Sequence, residues 1–215
     1  MIVAMCGFMG SGKNTAADYL IANGFEEISF ADSLKKAISH IFNWDYELLL
    51  GKTTESREWR EKVDYWWERR LGIPDLTPRW VLQHWGTEVG RNNFHPDIWI
   101  ASVEKKLFDN KSNVVINDCR FPNEFDSIRR AGGIFVHIVR GKFPEWYETA
   151  LDELNSLQKG SSIINYGSKM RIKYPDVHIS EWGWINQHFD HIIENNGTLE
   201  ELYQKLDEML NIHTI

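Results

Sequence analysis

Ile2-Val3-Ala4-Met5-Cys6-Gly7-Phe8-Met9-Gly10-Ser11-Gly12-Lys13-Asn14-Thr15 is the stretch whose reading decides the fold of this 215-residue chain. Its first five residues are apolar and read as a short buried strand. Helix-formers resume at Lys13, with Ala16, Ala17, Leu20 and Ile21 apolar and Gly24 as the stop. The residues between fit G-x-x-x-x-G-K, and a strand before with a helix after is the context that gives this pattern meaning. Glycines let successive backbone N–H groups converge on an anion, while the helix start adds positive potential. Lys13 then reaches the terminal phosphates of a nucleoside triphosphate. The loop from Gly7 to Lys13, with Gly10, Gly12 and Lys13 in it, is therefore expected to bind phosphate. A plain glycine-rich turn is the lesser alternative.

Working outward, the same alternation continues. Phe25 to Phe30 reads as a second strand, and Asp32 or Ser33 as the cap of a helix through Phe42 with Leu34, Ala37, Ile38 and Ile41 as its apolar stripe. Residues 43–78 are charged, aromatic and weakly periodic, which suggests an insertion. Thr77-Pro78 starts a helix as N-cap and N1. A further helix is expected from Ile98 to Phe108, and a buried strand from Asn113 to Asp118. Pro122 opens a helix that Gly132-Gly133 closes, and Ile134 to Val139 is the next strand. Residues 141–187 show no clear core pattern. Asp190 to Glu194 and a helix capped by Thr198 end the series. Strands alternating with helices imply an α/β fold, a parallel sheet covered on both faces.

Two further groups of residues carry chemistry. Arg79, Gln83, Gly86 and Thr87 fall at helical spacing, on one face of a single helix, with Val81, Leu82, Trp85 and Val89 free to pack inward. An Arg and a Gln beside a glycine gap suit a phosphate and a base edge. A solvated polar face fits the same spacing. Asp118-Cys119-Arg120, with Glu124 one turn on, follows a strand, and parallel sheets bind ligands beyond the carboxyl ends of their strands. Asp118 would stand near a metal or the attacking oxygen, and Arg120 near phosphates. A structural salt-bridge set is the alternative. Trp99 reads equally as a base-stacking ring or a core residue, and one of Trp59, Trp66 and Trp67 as a pocket wall. His188, Asp190 and His191 look like ligands at first but read as surface residues.

The net charge of −7 argues against a nucleic-acid partner, since phosphate backbones draw basic proteins. No apolar run approaches the roughly 18 residues of a membrane span, and no leader is expected. Cys6 and Cys119 read as buried thiols of a reducing, cytoplasmic compartment. Oligomeric state stays open, a homodimer among the options.

Together these residues resemble the deoxynucleoside monophosphate kinases of bacteriophages. The resemblance rests on Gly7 to Thr15, Phe30-Ala-Asp-Ser-Leu-Lys35, Arg79-Trp-Val-Leu-Gln-His-Trp-Gly-Thr-Glu88, Asn92-Asn-Phe94 leading to Trp99, and Asp118-Cys-Arg120 with Glu124. Val136-His-Ile-Val-Arg140, Asp176-Val-His-Ile-Ser-Glu181 and Asn195-Asn-Gly-Thr-Leu-Glu-Glu-Leu202 extend it. It implies a P-loop kinase fold, a three-layer α/β/α arrangement on a five-stranded parallel sheet. Residues 43–78 would be an acceptor-side insertion and residues 141–187 a lid within one domain. It further implies ATP with Mg²⁺ as donor, a deoxynucleoside 5′-monophosphate as acceptor, and the bacterial host cytoplasm as location.

Residue by residue, the resemblance implies that Gly10, Ser11, Gly12, Lys13, Asn14 and Thr15 would serve the phosphate loop, and that Lys13, Arg79, Asp118, Arg120 and Glu124 would be catalytic. Lys35, Arg79, Gln83, Gly86, Thr87, Trp99 and Arg120 would hold the acceptor. Arg171, with Lys169 and Lys173, would bring lid cations to ATP. Asn14 departs from the usual pattern, since Ser or Thr commonly meets Mg²⁺ there; Thr15 offers its hydroxyl instead, and it and Asp118 would meet the metal directly or through water. Another small-molecule P-loop kinase, acting on dephospho-coenzyme A, cytidylate or phosphomevalonate, shares the loop and lid. A non-catalytic nucleotide-binding module would lack the cations that Lys13, Arg79 and Arg120 supply.

Overall fold

Ile2–Cys6 forms the central strand of the sheet, as its unbroken apolar run requires. The structure, a computed structural model, describes residues 1–156 and 169–212. In chain order the elements begin with β1 (Ile2–Cys6), α1 (Lys13–Ala22), β2 (Glu26–Glu27) and α2 (Asp32–Phe42). Three short helices follow, α3 (Tyr46–Leu50), α4 (Thr54–Arg60) and α5 (Tyr65–Leu71). Next come α6 (Pro78–His84), a π-helix (Trp85–Phe94), α7 (Ile98–Asp109), β3 (Val114–Ile116), α8 (Pro122–Arg130) and β4 (Ile134–Val139). The series closes with α9 (Tyr147–Ser156), α10 (Lys169–Lys173), a 3-10 turn (Ile179–Glu181), β5 (His191–Glu194) and α11 (Leu199–Ile212).

The chain divides into two compact units, one of residues 1–29 and 110–215, the other of residues 30–109. In the first, all five strands run parallel in the order β2-β3-β1-β4-β5. Side chains alternate across the sheet. Val3, Met5, Val136 and Ile138 face α1 and α11, meeting Ala16, Leu20, Leu202 and Leu206 in one apolar cluster. Phe135 points the other way and stacks on Phe125 of α8, their centroids 4.4 Å apart. Three layers result. The expected strand at Phe25 to Phe30 shrinks to two residues, because Phe25, Ile28 and Phe30 turn inward at a spacing no single strand face provides.

Residues 141–187 hold more core than the sequence pattern suggests. Ala150, Leu154, Met170, Trp182 and Trp184 are all buried. Residues 157–168 of that span lie outside the described residues.

The second unit is helical. Leu34, Ile38 and Phe42 of α2 face Trp44, Leu49, Leu76 and Val81. Ala37 and Ile41, expected in that stripe, are instead exposed, and Phe42 takes the inward place four residues after Ile38. Asp32 does not cap α2; it lies in the first turn, N-capped by Ala31, and accepts hydrogen bonds from Lys106 (2.7 Å) and Lys36 (3.1 Å) and one from Tyr46 Oη (2.5 Å). Burial alone would raise the Asp32 pKa, but these donors outweigh it and hold it at about 2. Residues 43–78, read as a weakly periodic insertion, form three capped helices, with Asp45, Thr53 and Asp64 accepting from first-turn amides.

Cys6 and Cys119 are free and buried. Burial, then a hydrogen bond with Cys6, pushes the Cys119 thiol well above its ordinary value.

His137 on β4 gives a test of the first unit. It is 7 % exposed, and burial lowers its pKa from 6.5 to about 4. The unfolded chain binds this proton near pH 6.5 and the folded chain only near pH 4. Stability therefore falls as pH drops through that window. Urea unfolding at pH 7 and pH 4.5 should show His137→Leu losing roughly 2–3 kcal/mol less than the parent chain over this interval.

Candidate active site

The loop after β1 is shaped from both sides. Ser11 N donates to Phe8 O at 3.1 Å, and Ala16 N to Gly12 O at 2.9 Å, which closes the first turn of α1. Gly12 has φ 95°, and a Cβ there would lie 2.2 Å from Nδ2 of Asn195. That carboxamide donates to Ser11 O at 2.8 Å, so the residue after β5 braces the loop from behind. A side chain at Gly12 would be strained in its own backbone and would expel the brace.

Several observations fit an anion here. Ser11 Oγ is buried with no hydrogen-bond partner. No side chain caps α1, and its first turn holds no acidic residue. The orphan N–H groups at such a helix start form an anion-binding end. Lys13 is half-buried beside them, whereas Asn14 and Thr15 are exposed. Phe8, inside the loop, is the hub of an aromatic cluster, with Trp184 at 5.0 Å, Trp146 at 5.5 Å, Phe143 at 5.9 Å and Tyr147 at 6.0 Å. The loop is thereby tied to residues 141–187.

β3 is paired in parallel with β1, which places Asp118 and Arg120 beyond the same sheet edge as the loop. Asp118 Oδ2 accepts from Ser29 Oγ at 2.6 Å. Arg120 is half-buried. Glu124 is 2 % exposed, and its Oε2 accepts from the backbone amides of Arg120 (2.7 Å) and Phe121 (3.1 Å). Its carboxylate thus fixes the backbone that carries Arg120. A Cβ at Gly183 would lie 3.3 Å from Arg120 O, so this loop also rests on residues 141–187.

In the second unit, Thr77 Oγ1 accepts from Trp80 N at 3.1 Å, and α6 opens as its Thr-Pro start predicts. Arg79 pairs with Glu61 through its Nε. Gln83 is exposed one turn on. The single α-helical face stops there, since Trp85–Phe94 is π-helical. Wider i→i+5 turns shift Gly86 and Thr87 out of register with Arg79 and Gln83. Val89, expected inside, is 38 % exposed for the same reason, while Val81 is fully buried.

The gap at Gly86 is closely approached by the protein's own side chains. Trp99 Nε1 donates to Gly86 O at 2.8 Å, and a Cβ at Gly86 would lie 3.1 Å from Leu34 Cδ2. Lys35 of α2 is half-buried. Trp59 lines a cavity of about 330 Å³ with Lys62, Val63, Asp64, Tyr65 and Pro78. Trp67 donates to Phe42 O at 3.0 Å, whereas Trp66 is 63 % exposed.

Among the described residues no group of three or more His, Cys, Asp or Glu is placed to hold a metal ion. Mg²⁺ needs no such cage, because it keeps water and takes one or two carboxylates together with substrate phosphates. The Asp118 side chain is a carboxylate of that kind, and Thr15 carries an exposed hydroxyl. Asp190 Oδ2 accepts from Phe135 N of β4 at 2.7 Å, and His188 O from Arg129 of α8, so the first fastens the turn before β5 to the sheet and the second to the helix beneath it. Arg171 is exposed on α10. Asn195 and Phe8 carry parts that sequence reading does not give them. For Asn195 a signal exists, since it directly follows the carboxyl end of a strand.

Residues 75–153 match the family described as deoxynucleotide monophosphate kinase. A protein of Acanthamoeba polyphaga mimivirus, provisionally named a deoxynucleotide monophosphate kinase, is 30% identical over 96% of this chain and 94% of its own. The deoxynucleotide monophosphate kinase of Enterobacteria phage T4 is 26% identical over 98% of this chain and 99% of its own. Shikimate kinase from Aquifex aeolicus is a looser structural likeness, with TM-score 0.45 and 15% identity over 100% of this chain and 98% of that one.

Glu124→Ala should leave two amides without their acceptor and cost about 2–4 kcal/mol in urea unfolding, with Glu124→Gln, which keeps an oxygen, losing under about half of that. Equal losses in both variants would refute the clamp.

Proposed function

Because this chain belongs to the deoxynucleotide monophosphate kinase family, we propose that it transfers a phosphoryl group from ATP to a deoxynucleoside 5′-monophosphate. The product is the diphosphate, a precursor for DNA synthesis. The observation that carries this reading is the loop between β1 and α1, with its uncapped helix start and the buried, unpartnered Ser11 hydroxyl. These groups supply hydrogen-bond donors and a positive potential, which a polyphosphate requires.

Phosphoryl transfer asks the protein for positioning and charge neutralisation more than for covalent chemistry. Gly10, Ser11, Gly12 and Lys13 would hold the β- and γ-phosphates of ATP through backbone amides and the lysine ammonium. ATP supplies the transferable group, and Mg²⁺ would draw charge from its oxygens, with Thr15 and Asp118 as protein-side donors. Arg120 would neutralise the transferring group from a backbone held by Glu124. In the second unit, Arg79, Lys35, Gln83, Gly86, Thr87 and Trp99 would receive the acceptor. Base preference belongs with residues 43–78, where Trp59 lines the cavity. An acceptor phosphate is already ionised at pH 7, so no general base is needed. Water competes as a nucleophile, and residues 141–187, with Lys169, Arg171 and Lys173, are the proposed cover.

Support for donor binding comes from independent physical features, the brace from Asn195 and the glycine curvature. No described helix is long and apolar enough to cross a membrane.

Turnover of the four deoxynucleoside monophosphates and their ribose counterparts with ATP tests the substrate. Lys13→Ala and Arg120→Ala should each lower kcat/KM by roughly 100-fold or more. Near-parental rates in both would refute the charge-neutralising roles of these two residues.

A further inference from the structure

In the second unit Arg60 lies within electrostatic reach of two further arginines, Arg57 and Arg79, and of one glutamate, Glu61. Arg57 and Arg60 lie on α4, Glu61 is its C-cap, and Arg79 is in the first turn of α6, which packs against α4. Arg57 is engaged by the turn beneath it, its Nε donating to Gly51 O at 3.1 Å and its Nη2 to Lys52 O at 3.5 Å. Arg60 is not so engaged. Its Nε is buried and has no hydrogen-bond partner, which is a costly state for a charged donor. Its guanidinium lies directly over Gly51, where a Cβ would come within 2.2 Å of Cζ. Glycine at 51 is what admits the group to this place.

The charge around Arg60 is unbalanced. Burial lowers its pKa first, the like charge of Arg79 lowers it next, Glu61 raises it and Arg57 lowers it again. The only carboxylate in that set pairs with the Nε of Arg79, and that pair is about half exposed, at 47% and 55%. An exposed pair of this sort contributes little and exchanges readily. Two neighbouring guanidinium forks, one with an unmet donor, suit a group that carries two negative charges over several oxygens. A phosphate monoester is such a group, and a single carboxylate is not.

We infer that Arg60 joins Arg79 in a seat for the phosphate of the acceptor, and that Glu61 is a resident counter-ion which this phosphate displaces from Arg79. The inference rests on the function proposed above and assigns two residues, Arg60 and Glu61, that it did not use. Glu61 holds the arginine fork in place while the seat is empty. Acceptor binding then exchanges one carboxylate for a dianion. The acceptor competes against Glu61, and its apparent affinity is lower than the two arginines alone would give.

The test uses the full chain and its Arg60→Met, Arg60→Lys and Glu61→Gln variants, each checked for folding by thermal melting. Arg60→Met should raise the KM for the acceptor about 10-fold or more while the KM for ATP holds. Arg60→Lys, which keeps charge but loses the fork, should recover only part of this. Glu61→Gln should lower the acceptor KM by about 2–5-fold. Calorimetric titration with inorganic phosphate gives a readout independent of turnover, with tighter binding to Glu61→Gln and weaker binding to Arg60→Met. An acceptor KM that is unchanged in folded Arg60→Met, or unchanged or raised in Glu61→Gln, overturns the inference and leaves the kinase reading intact. A parental chain that phosphorylates no deoxynucleoside monophosphate overturns that reading instead. The phosphate titration still decides the seat.

Discussion

Parallel pairing of β1 with β3 on one side and β4 on the other is the constraint on which the site depends. A central strand buried on both faces must be apolar throughout, so nothing functional can sit within it. Chemistry is displaced to the point where the strand ends. Because neighbouring strands run the same way, their ends share one edge, and residues far apart in sequence gather there. The glycine loop, Asp118 with Arg120, and Asn195 all lie just past strand ends. None of these positions needs a long-range accident, since register supplies them.

The loop after β1 and its neighbour after β3 are each held by the protein's own side chains. Asn195 bonds the Ser11 carbonyl, Glu124 bonds two amides of the neighbouring loop, and Phe8 is packed in aromatic rings. Each fixes backbone at the carboxyl edge of the sheet. Such preorganisation is what electrostatic catalysis requires, since donors already aimed at a charge need no reorganisation when it develops. Glu124 shows how a residue flanking a site can matter through the backbone it fixes.

Much of this is legible in the sequence. Strands β1, β3 and β4 are written in apolar runs, and the loop in its glycines and lysine. The Thr-Pro start of α6 follows from capping chemistry alone. What fails does so for identifiable reasons. A stripe at 3.6-residue spacing places Arg79, Gln83, Gly86 and Thr87 together, but hydrogen bonds in the π-helix follow a different repeat, and no side chain announces that change. Ala37 and Ile41 read as inward because they are apolar, whereas Phe42 wins the place through its larger buried surface. Asn195 and Arg60 escape a sequence reading because their partners, a carbonyl at Ser11 and a glycine at 51, lie elsewhere in the chain. Tertiary approach of that sort leaves little trace in local pattern.

The two thiols carry a practical consequence. Alkylating reagents attack the thiolate, and both sulfurs are enclosed, with Cys119 held far toward its protonated form. A cysteine introduced on the surface, at the exposed Lys142 or Gln204 for instance, would react with a maleimide dye while the native pair stayed silent. Distance measurements on this chain can therefore begin from the natural sequence, without first removing either sulfur from beside the site.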